Sequence, residues 1–433
     1  MKPRAFLVAG LGFGDEGKGS TVDWLVREQG ARTVVRYNGG PQAAHHVVTR
    51  EGLTHCFAQL GAGTLVPGVR THLSRFMVID PLALLAEEDA LRSLRIDDAC
   101  ERLTIDPRAI VVTPFHAALN RMQELARGEG RHGSCGRGVA QAQLDSEHGH
   151  APTLRVGDLA DRPRARRTLD LLWRMKLDLA EQLARQHPRL RALAVALEDL
   201  AIRDRVELLV DAYHAFVTTR GLHLADEPSL RGAGAVIFEG AQGVLLDRDH
   251  GFWPHVTPSH TTFVNALAMC EELGLEQVTR VGVLRAYATR HGAGPFVTED
   301  RALDLPEAHN GESAWQGAFR VGWFDAPAAR YALAASGGVD ELVITSVDRV
   351  LPLPSVRVCT AYERGGEVIS DLPSPAAVTT PGERESLTRA LAASTPRCEE
   401  LAPADLIPFL ESSLARHVDV VSTGPTAAHK QRR

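Results

Sequence analysis

No run of lysine or arginine long enough to line a nucleic-acid groove occurs in this chain of 433 residues, whose formal net charge is −6 with 24% charged residues. So ordinary a surface points to small-molecule partners, with no nucleic acid and no membrane expected. Cysteine is scarce and scattered. Cys56, Cys100, Cys135, Cys270, Cys359 and Cys398 form no CxxC pair and no metal-type spacing, which argues against a disulfide framework and a zinc site and suits a reducing cytoplasm. No stretch of about eighteen apolar residues, the length of a membrane span, is present. Lys2, Arg4 and the apolar run behind them begin like a secretory signal but meet Asp15 and Glu16 before any cleavage-like site. A soluble, unexported, cytoplasmic protein is therefore expected. No internal repeat is visible either.

What the chain does have is the stretch Gly10-Leu11-Gly12-Phe13-Gly14-Asp15-Glu16-Gly17-Lys18-Gly19-Ser20, set between a short apolar strand pattern (5–9) and a helical one (21–28). Gly12 to Lys18 fits the opening of a P-loop, in which glycines let backbone N–H groups and a helix N-terminus approach phosphate oxygens while lysine neutralises their charge. The pattern then breaks. Gly19 stands where a P-loop supplies a hydroxyl to Mg²⁺, and Asp15 and Glu16 lie inside the loop. A carboxylate facing phosphates repels them unless it holds the metal or moves a proton. The alternative is a glycine-rich turn with solvated acids; the flanking strand and helix favour the nucleotide loop.

The length suits one large α/β domain with insertions or a few smaller ones. A β-rich run over 33–37 stops at Asn38-Gly39-Gly40-Pro41-Gln42-Ala43-Ala44-His45-His46, so a second strand delivers a second turn to the same sheet edge. Ligands of open α/β sheets gather beyond the carboxyl ends of strands, which brings His45 and His46 towards the first loop. A histidine at such a junction is either chemical or a structural hydrogen-bonding residue. Further strands are expected over 76–80 and 110–113, with a helix from Pro81 through Leu94. The basic, glycine-rich loop 131–138 is an anion site or a linker. Residues 166–220 read as a helical insertion broken at Pro188, its leucine stripes serving as core contacts. Strands over 235–239, 280–284, 342–346 and 418–421 each lead into a polar or glycine-rich loop: Gly240 to Gly251, Thr289 to Pro295, Asp348, and Ser422 to Pro425. The expected fold is α/β, a mainly parallel central β-sheet flanked by helices, P-loop-NTPase-like, with helical insertions. One unit is expected over 1–425, followed by a disordered basic tail over 426–433.

Taken together, these segments resemble the adenylosuccinate synthetase family, in order from Gly10 to Pro425. The family's GDEGKG corresponds to Gly14 to Gly19 and its VVRYxGG to Val34 to Gly40. FEGAQGxLLDxDHG corresponds to Phe238 to Gly243 with Leu245-Leu246-Asp247 and Asp249-His250-Gly251, AYxTRxGAGPF to Ala286 to Phe296, and STGP to Ser422 to Pro425. The resemblance implies a single domain of that kind, a homodimer, GTP as co-substrate, Mg²⁺, and ligase chemistry of purine biosynthesis. GTP phosphorylates a ring oxygen, a poor leaving group, once deprotonation makes it nucleophilic, and an amine then displaces phosphate. Carried over residue by residue, Asp15 is the base and a Mg²⁺ ligand, with the Ala44 carbonyl another. His45 stabilises the phosphoryl group in transfer, Lys18 and the loop amides stabilise the moving charge, and Gln242 positions the ring. Gly14, Glu16, Gly17, Gly19, Ser20, His46, Asp348, Ser422, Thr423 and Gly424 fall to GTP, with Asp348 reading guanine. Gln42, Cys135, Thr257, His291, Gly317 and Arg320 fall to the substrates.

The departures from the family pattern gather at substrate positions. GGHNAGHT has become Gly39 to His46, so a ligand-contacting Asn is Gln42, while a backbone contact tolerates Ala44. Ser346 takes the lysine position of the family's KxD, which leaves guanine selectivity to Asp348 and weakens it. Cys135 replaces a Thr that holds the nucleotide 5′-phosphate and is a weaker hydrogen-bond partner. The arginine given to that phosphate across the dimer has no clear counterpart between Gln141 and Pro152, although Thr257 is kept. Losses of about 1.5–3 kcal/mol each weaken IMP by decades. The largest change falls on the aspartate loop. TTGRRRRTGW has become Ala314-Trp315-Gln316-Gly317-Ala318-Phe319-Arg320-Val321-Gly322-Trp323, leaving Arg320 alone where a dicarboxylate needs paired guanidinium forks.

The expectation is a GTP- and Mg²⁺-dependent ligase that joins IMP or a related purine-like acceptor to an amine, as a specialised paralogue with altered specificity. The alternatives are an ordinary adenylosuccinate synthetase using IMP and L-aspartate, and a GTP-binding homologue without turnover. Retention of both Asp15 and His45 argues against the latter. Gly19 and the want of an evident Walker-type Asp strand argue against a generic P-loop NTPase.

Overall fold

The computed structural model describes residues 4–149, 151–219, 222–230, 232, 234–305 and 315–433. Its central sheet has ten strands: β1 (Arg4–Gly10), β2 (Thr33–Arg36), β3 (Arg70–Leu73), β4 (Leu103–Ile105), β5 (His223–Leu224), β6 (Ala235–Glu239), β7 (Gln277–Arg285), β8 (Glu341–Thr345), β9 (Val420–Ser422) and β10 (Lys430–Arg432). In space they run β10-β9-β8-β7-β1-β6-β2-β3-β4-β5. Every pairing is parallel except that of β9 with β10.

β1 sits mid-sheet and shows why its sequence is apolar without alternation. Phe6 and Val8 enter one core with Val22 and Leu25 of helix α1 (Lys18–Gln29), while Ala5, Leu7 and Ala9 enter a second core on the opposite face. Strands covered on both faces need apolar residues at every position. The parallel arrangement sends the carboxyl ends of β1, β2, β6, β7, β8 and β9 to one edge, where their loops can share a ligand.

The region read as a helical insertion consists of helices Arg162–Gln186, Arg191–Leu200 and Arg205–Thr219, broken at Pro188. Leu169, Leu172, Leu193 and Tyr213 from them join the first core. Among the described residues no helix is long and apolar enough to cross a membrane.

One expectation narrows and another needs correction. The strands expected over 76–80 and 110–113 are present but short: Val78–Ile79 and Ile110–Val111 pair parallel with each other outside the main sheet, and Ile110 also bridges Arg155. Asp80 instead caps the helix Pro81–Ser93, accepting from the N–H groups of Leu82 and Ala83 at 3.1 Å each. The tail expected to be disordered instead carries the strand Lys430–Arg432, and its arginines have partners. Lys430 is buried near Asp23, and Arg432 bonds Glu28 at 2.9 Å and Glu341 at 3.1 Å while lying over the Trp24 ring.

Candidate active site

The loop between β1 and α1 is tied from within. Glu16 Oε1 accepts from the N–H groups of Gly12 at 3.0 Å and Gly14 at 2.7 Å, and Oε2 lies 2.6 Å from Lys18 Nζ. Lys18 Nζ also donates to the Gly14 carbonyl at 2.5 Å, and Thr345 Oγ1 at the end of β8 donates to the Glu16 carbonyl at 2.6 Å. A Cβ on Gly10 would come 2.1 Å from Glu16 Oε2, so glycine is required there. The amide nest a P-loop offers to phosphate is filled by the chain's own carboxylate. The Glu16 carboxylate, expected at the GTP site, is used inside the loop, on the amides of Gly12 and Gly14 and on Lys18.

Asp15 faces the other way. Its Oδ2 lies 3.2 Å from His291 Nε2, and 22% of the side chain is exposed. Burial works to raise its pKa, but the bond to His291 and the charges of His291, Arg285 and Lys18 prevail and hold the carboxyl below its ordinary value. It is ionised at neutral pH and so is a proton acceptor.

His45 opens the short strand His45–Val48 behind the second turn. A Cβ on Gly19 would meet His45 Cβ at 2.7 Å, which is why glycine replaces the usual hydroxyl residue: α1 and the second turn could not otherwise approach. The imidazole is buried, its Nδ1 2.5 Å from Glu239 Oε1 at the end of β6; Glu239 Oε2 accepts from the Ala62 N–H at 2.9 Å. Burial lowers the His45 pKa although Glu239 pulls it upwards. Burial would raise Glu239, but Arg36 and His45 outweigh it and keep the carboxyl low. An ionised Glu239 accepts from Nδ1–H, which fixes the tautomer and leaves Nε2 as the nitrogen free to act.

Outside the loop lies a cleft of about 170 Å³. Gly14, Asp15, Gly17, Lys18, Gly19 and Ser20 form one side; Ala44, His45 and His46 another; Ser346 and Asp348 behind β8, with Ser422 and Gly424 behind β9, complete it. The cleft thus unites the nucleotide-side residues singled out in the sequence, apart from Glu16 and Thr423. Thr423 turns its hydroxyl to the His429 carbonyl at 3.4 Å. Asp348 stands 3.6 Å from the Arg349 guanidinium.

The acceptor side lies against this cleft. Gln242 holds a left-handed backbone with φ 58°, a conformation strained for a side-chain-bearing residue, and Gly14 packs against its Cα. Gln42 and Gln242 both approach the Gly39–Gly40 turn, and the Oε1 of each is buried without a hydrogen-bond partner. Buried amide oxygens left unbonded mark a place for a polar ligand. Cys135 lies in the loop 131–138, where burial pushes its thiol up, and Thr257 Oγ1 lies 3.1 Å from Ser259 Oγ.

The amine side differs from expectation. Arg320 lies on the strand Phe319–Gly322, paired antiparallel with Ala288–His291. Its Nε and one terminal nitrogen bond Glu299 Oε2 at 3.1 and 2.6 Å, and the other bonds the carbonyls of Gly292 and Gly294 at 3.0 Å each. Arg320, expected as a substrate contact, is thus held by the protein itself, because Glu299 supplies the carboxylate it would otherwise seek. His291 abuts Asp15 as described, Gly317 has φ 84°, and Ala314 lies outside the described residues.

A family model described as adenylosuccinate synthetase matches residues 7–430. The chain belongs to the adenylosuccinate synthetase family. It is similar to the adenylosuccinate synthetase of Frankia alni, 34% identical over 445 residues and 97% of both chains. It is also similar to that of Acidithiobacillus ferrooxidans, 36% identical over 378 residues, 86% of this chain and 83% of that one. In fold it resembles the fully ligated adenylosuccinate synthetase of Plasmodium falciparum, with TM-score 0.78, 21% identity and 99% of each chain covered. It likewise resembles a cyanophage S-2L succinoaminodeoxyadenylate synthetase bound to dGMP and to dATP as an energy donor, with TM-score 0.60, 18% identity and 100% and 96% covered. The chain is accordingly a GTP-dependent carbon–nitrogen ligase of the adenylosuccinate synthetase type.

Within the adenylosuccinate synthetase frame, sequence reasoning missed several residues. Glu239 sits inside the FEGAQG motif, yet only the folded sheet shows that it orients His45; an acid at the end of an otherwise apolar strand was the available signal. Arg285 and Arg349 line the nucleotide cleft. Thr345 locks the first loop across a separation of 329 residues. Nothing local in the sequence pairs Arg320 with Glu299.

Proposed function

We propose that this enzyme transfers the γ-phosphoryl group of GTP to a carbonyl oxygen of IMP or a related purine-like acceptor and then joins that carbon to an amine. We propose further that acceptor, amine or both differ from IMP and L-aspartate. The observation that carries this reading is the contrast between Asp15 and His45, which face one cleft, and an Arg320 already bonded to Glu299. Asp15, ionised, takes the ring proton and makes the oxygen nucleophilic. His45, its Nδ1–H held by Glu239, turns Nε2 to the phosphoryl group, whose negative charge favours a proton there once bound. Gln242 and Gln42 offer amide groups to the ring. Asp15 and the Ala44 carbonyl would hold Mg²⁺, since both are hard oxygen donors on one cleft. The ion neutralises phosphate charge when bound. A homodimer in the cytoplasm is part of the same reading.

The test is phosphate release with GTP, Mg²⁺ and IMP, with and without L-aspartate, products being identified by mass spectrometry. Turnover with another amine or oxo-heterocycle, and little with IMP and aspartate, supports the proposal. Adenylosuccinate formed in a rapid, aspartate-dependent reaction makes this an ordinary adenylosuccinate synthetase. GTP binding without release across the whole panel would identify a homologue that binds but does not turn over.

A further inference from the structure

Resting on the ligase reading above, we infer that the amine donor is a primary amine with an apolar or aromatic body and no carboxylate, and that Glu299 and Phe319 are specificity-determining residues. Two cations beside the amine side, Arg320 and Arg290, are already bonded to the protein. Arg320 gives Nε and a terminal nitrogen to Glu299 and its remaining nitrogen to two backbone carbonyls, with the Phe296 ring 5.2 Å from the guanidinium. A guanidinium whose fork already grips a carboxylate has no donor pair for a second one. Arg290 is buried and bonds the carbonyls of Ala293 at 3.1 Å and Pro295 at 2.9 Å.

Rings occupy the space where guanidinium groups would be needed. Phe319 pairs in register with His291, their rings 4.8 Å apart, and His291 touches Asp15. Phe319 therefore stands one side chain away from the reacting centre. Trp315 covers Gly136, where a Cβ would lie 2.9 Å from the indole, so the loop 131–138 closes on an aromatic face. Gly317, with φ 84°, could carry an arginine only at the expense of backbone strain. The carboxylates of Asp15 and Glu299 offset the nearby charges of Arg285, Arg301 and Arg320. A dicarboxylic amine thus finds no unopposed pair of guanidinium groups and meets rings, whereas an apolar amine gains ring contact.

The experiment compares benzylamine, isobutylamine and L-aspartate as donors, with GTP, Mg²⁺ and either IMP or inosine, reading phosphate release and product mass. The apolar amines are expected to exceed aspartate by about 10²-fold in kcat/KM. Glu299→Gln, which frees Arg320, and Phe319→Arg, which adds a guanidinium, should each move that ratio about tenfold towards aspartate. Preference of the native enzyme for aspartate overturns the inference. So does an unmoved ratio in variants whose circular dichroism and melting match the parent. Calorimetry of each amine against the enzyme loaded with a non-hydrolysable GTP analogue separates the two readings: tight aspartate binding sinks the amine assignment alone. Preferred binding of benzylamine without phosphate release would uphold the amine assignment while the ligase reading fails.

Discussion

The two walls of the site are built by opposite means. On the nucleotide side, polar groups point to one another only where that frees a neighbour: Glu16 fills the nest and Asp15 is left facing the cleft; Glu239 takes one nitrogen of His45 and the other remains available. On the amine side the same kind of bonding ends in closure, because Glu299 and two carbonyls take four of the five N–H donors of Arg320. On the proposed reading, activation and recognition are built from separate residues. A chain can keep the first intact while the second changes.

The comparison can be broken most sharply at Asp15. Asp15→Asn should lower single-turnover GTP cleavage by about 10²–10⁴-fold while GTP still binds; cleavage within tenfold of the parent would mean that another group is the base. Glu239→Gln comes next, with kcat falling about 10–100-fold as His45 loses its orientation. Because an ionised Glu239 opposes the burial that lowers the His45 pKa, the limb assigned to His45 in the rate profile should shift to lower pH in that variant. A profile that stays in place removes Glu239 from the mechanism. Thr345→Val should remove one loop bond worth about 1 kcal/mol and weaken GTP about fivefold by calorimetry, without touching amine preference. A changed amine ratio there would show that the walls are coupled.

The smallest effect on turnover is expected at Asp325, which caps the helix Ala326–Ala335 just behind the amine-side strand. Burial raises its pKa to about 6 against the bonds from Tyr362 and Ala328. The native state thus holds this proton more tightly than the unfolded chain, so the stabilisation is fully present below about pH 4 and is lost as pH rises through about 6. Asp325→Asn should flatten urea-unfolding stability between pH 4 and 6 and leave GTP cleavage within about twofold; an unchanged slope would show that Asp325 carries no such linkage.

Much of the frame was legible in the sequence because it is local. β1, β2, β6, β7, β8 and β9 each end in a glycine-rich or polar junction, and a strand-to-loop switch needs only a few residues to be recognised. β3 and β4 were missed because segments of four and three residues carry no usable period. The loop motif was legible, but the direction of its two acids was not: adjacent residues differ in fate only because Gly12 and Gly14 offer amides to Glu16 and His291 arrives beside Asp15. The loss of arginines was visible in the sequence as a count. That the remaining Arg320 is already bonded to Glu299 follows from a tertiary placement, Glu299 bridging Gly322 beside the hairpin, which no count contains.

The short strand Lys430–Arg432 has a further consequence. Among the described residues it is the one antiparallel member of the sheet, and it forms one of its edges. An exposed edge is a template on which another molecule can add a strand, and a long apolar one invites fibrils. Here the edge is three residues long and reads Lys-Gln-Arg, with Gln431 and Arg432 facing solvent. A would-be guest strand finds little ladder to extend, so the same short segment that fastens α1 is also a poor template for strand addition.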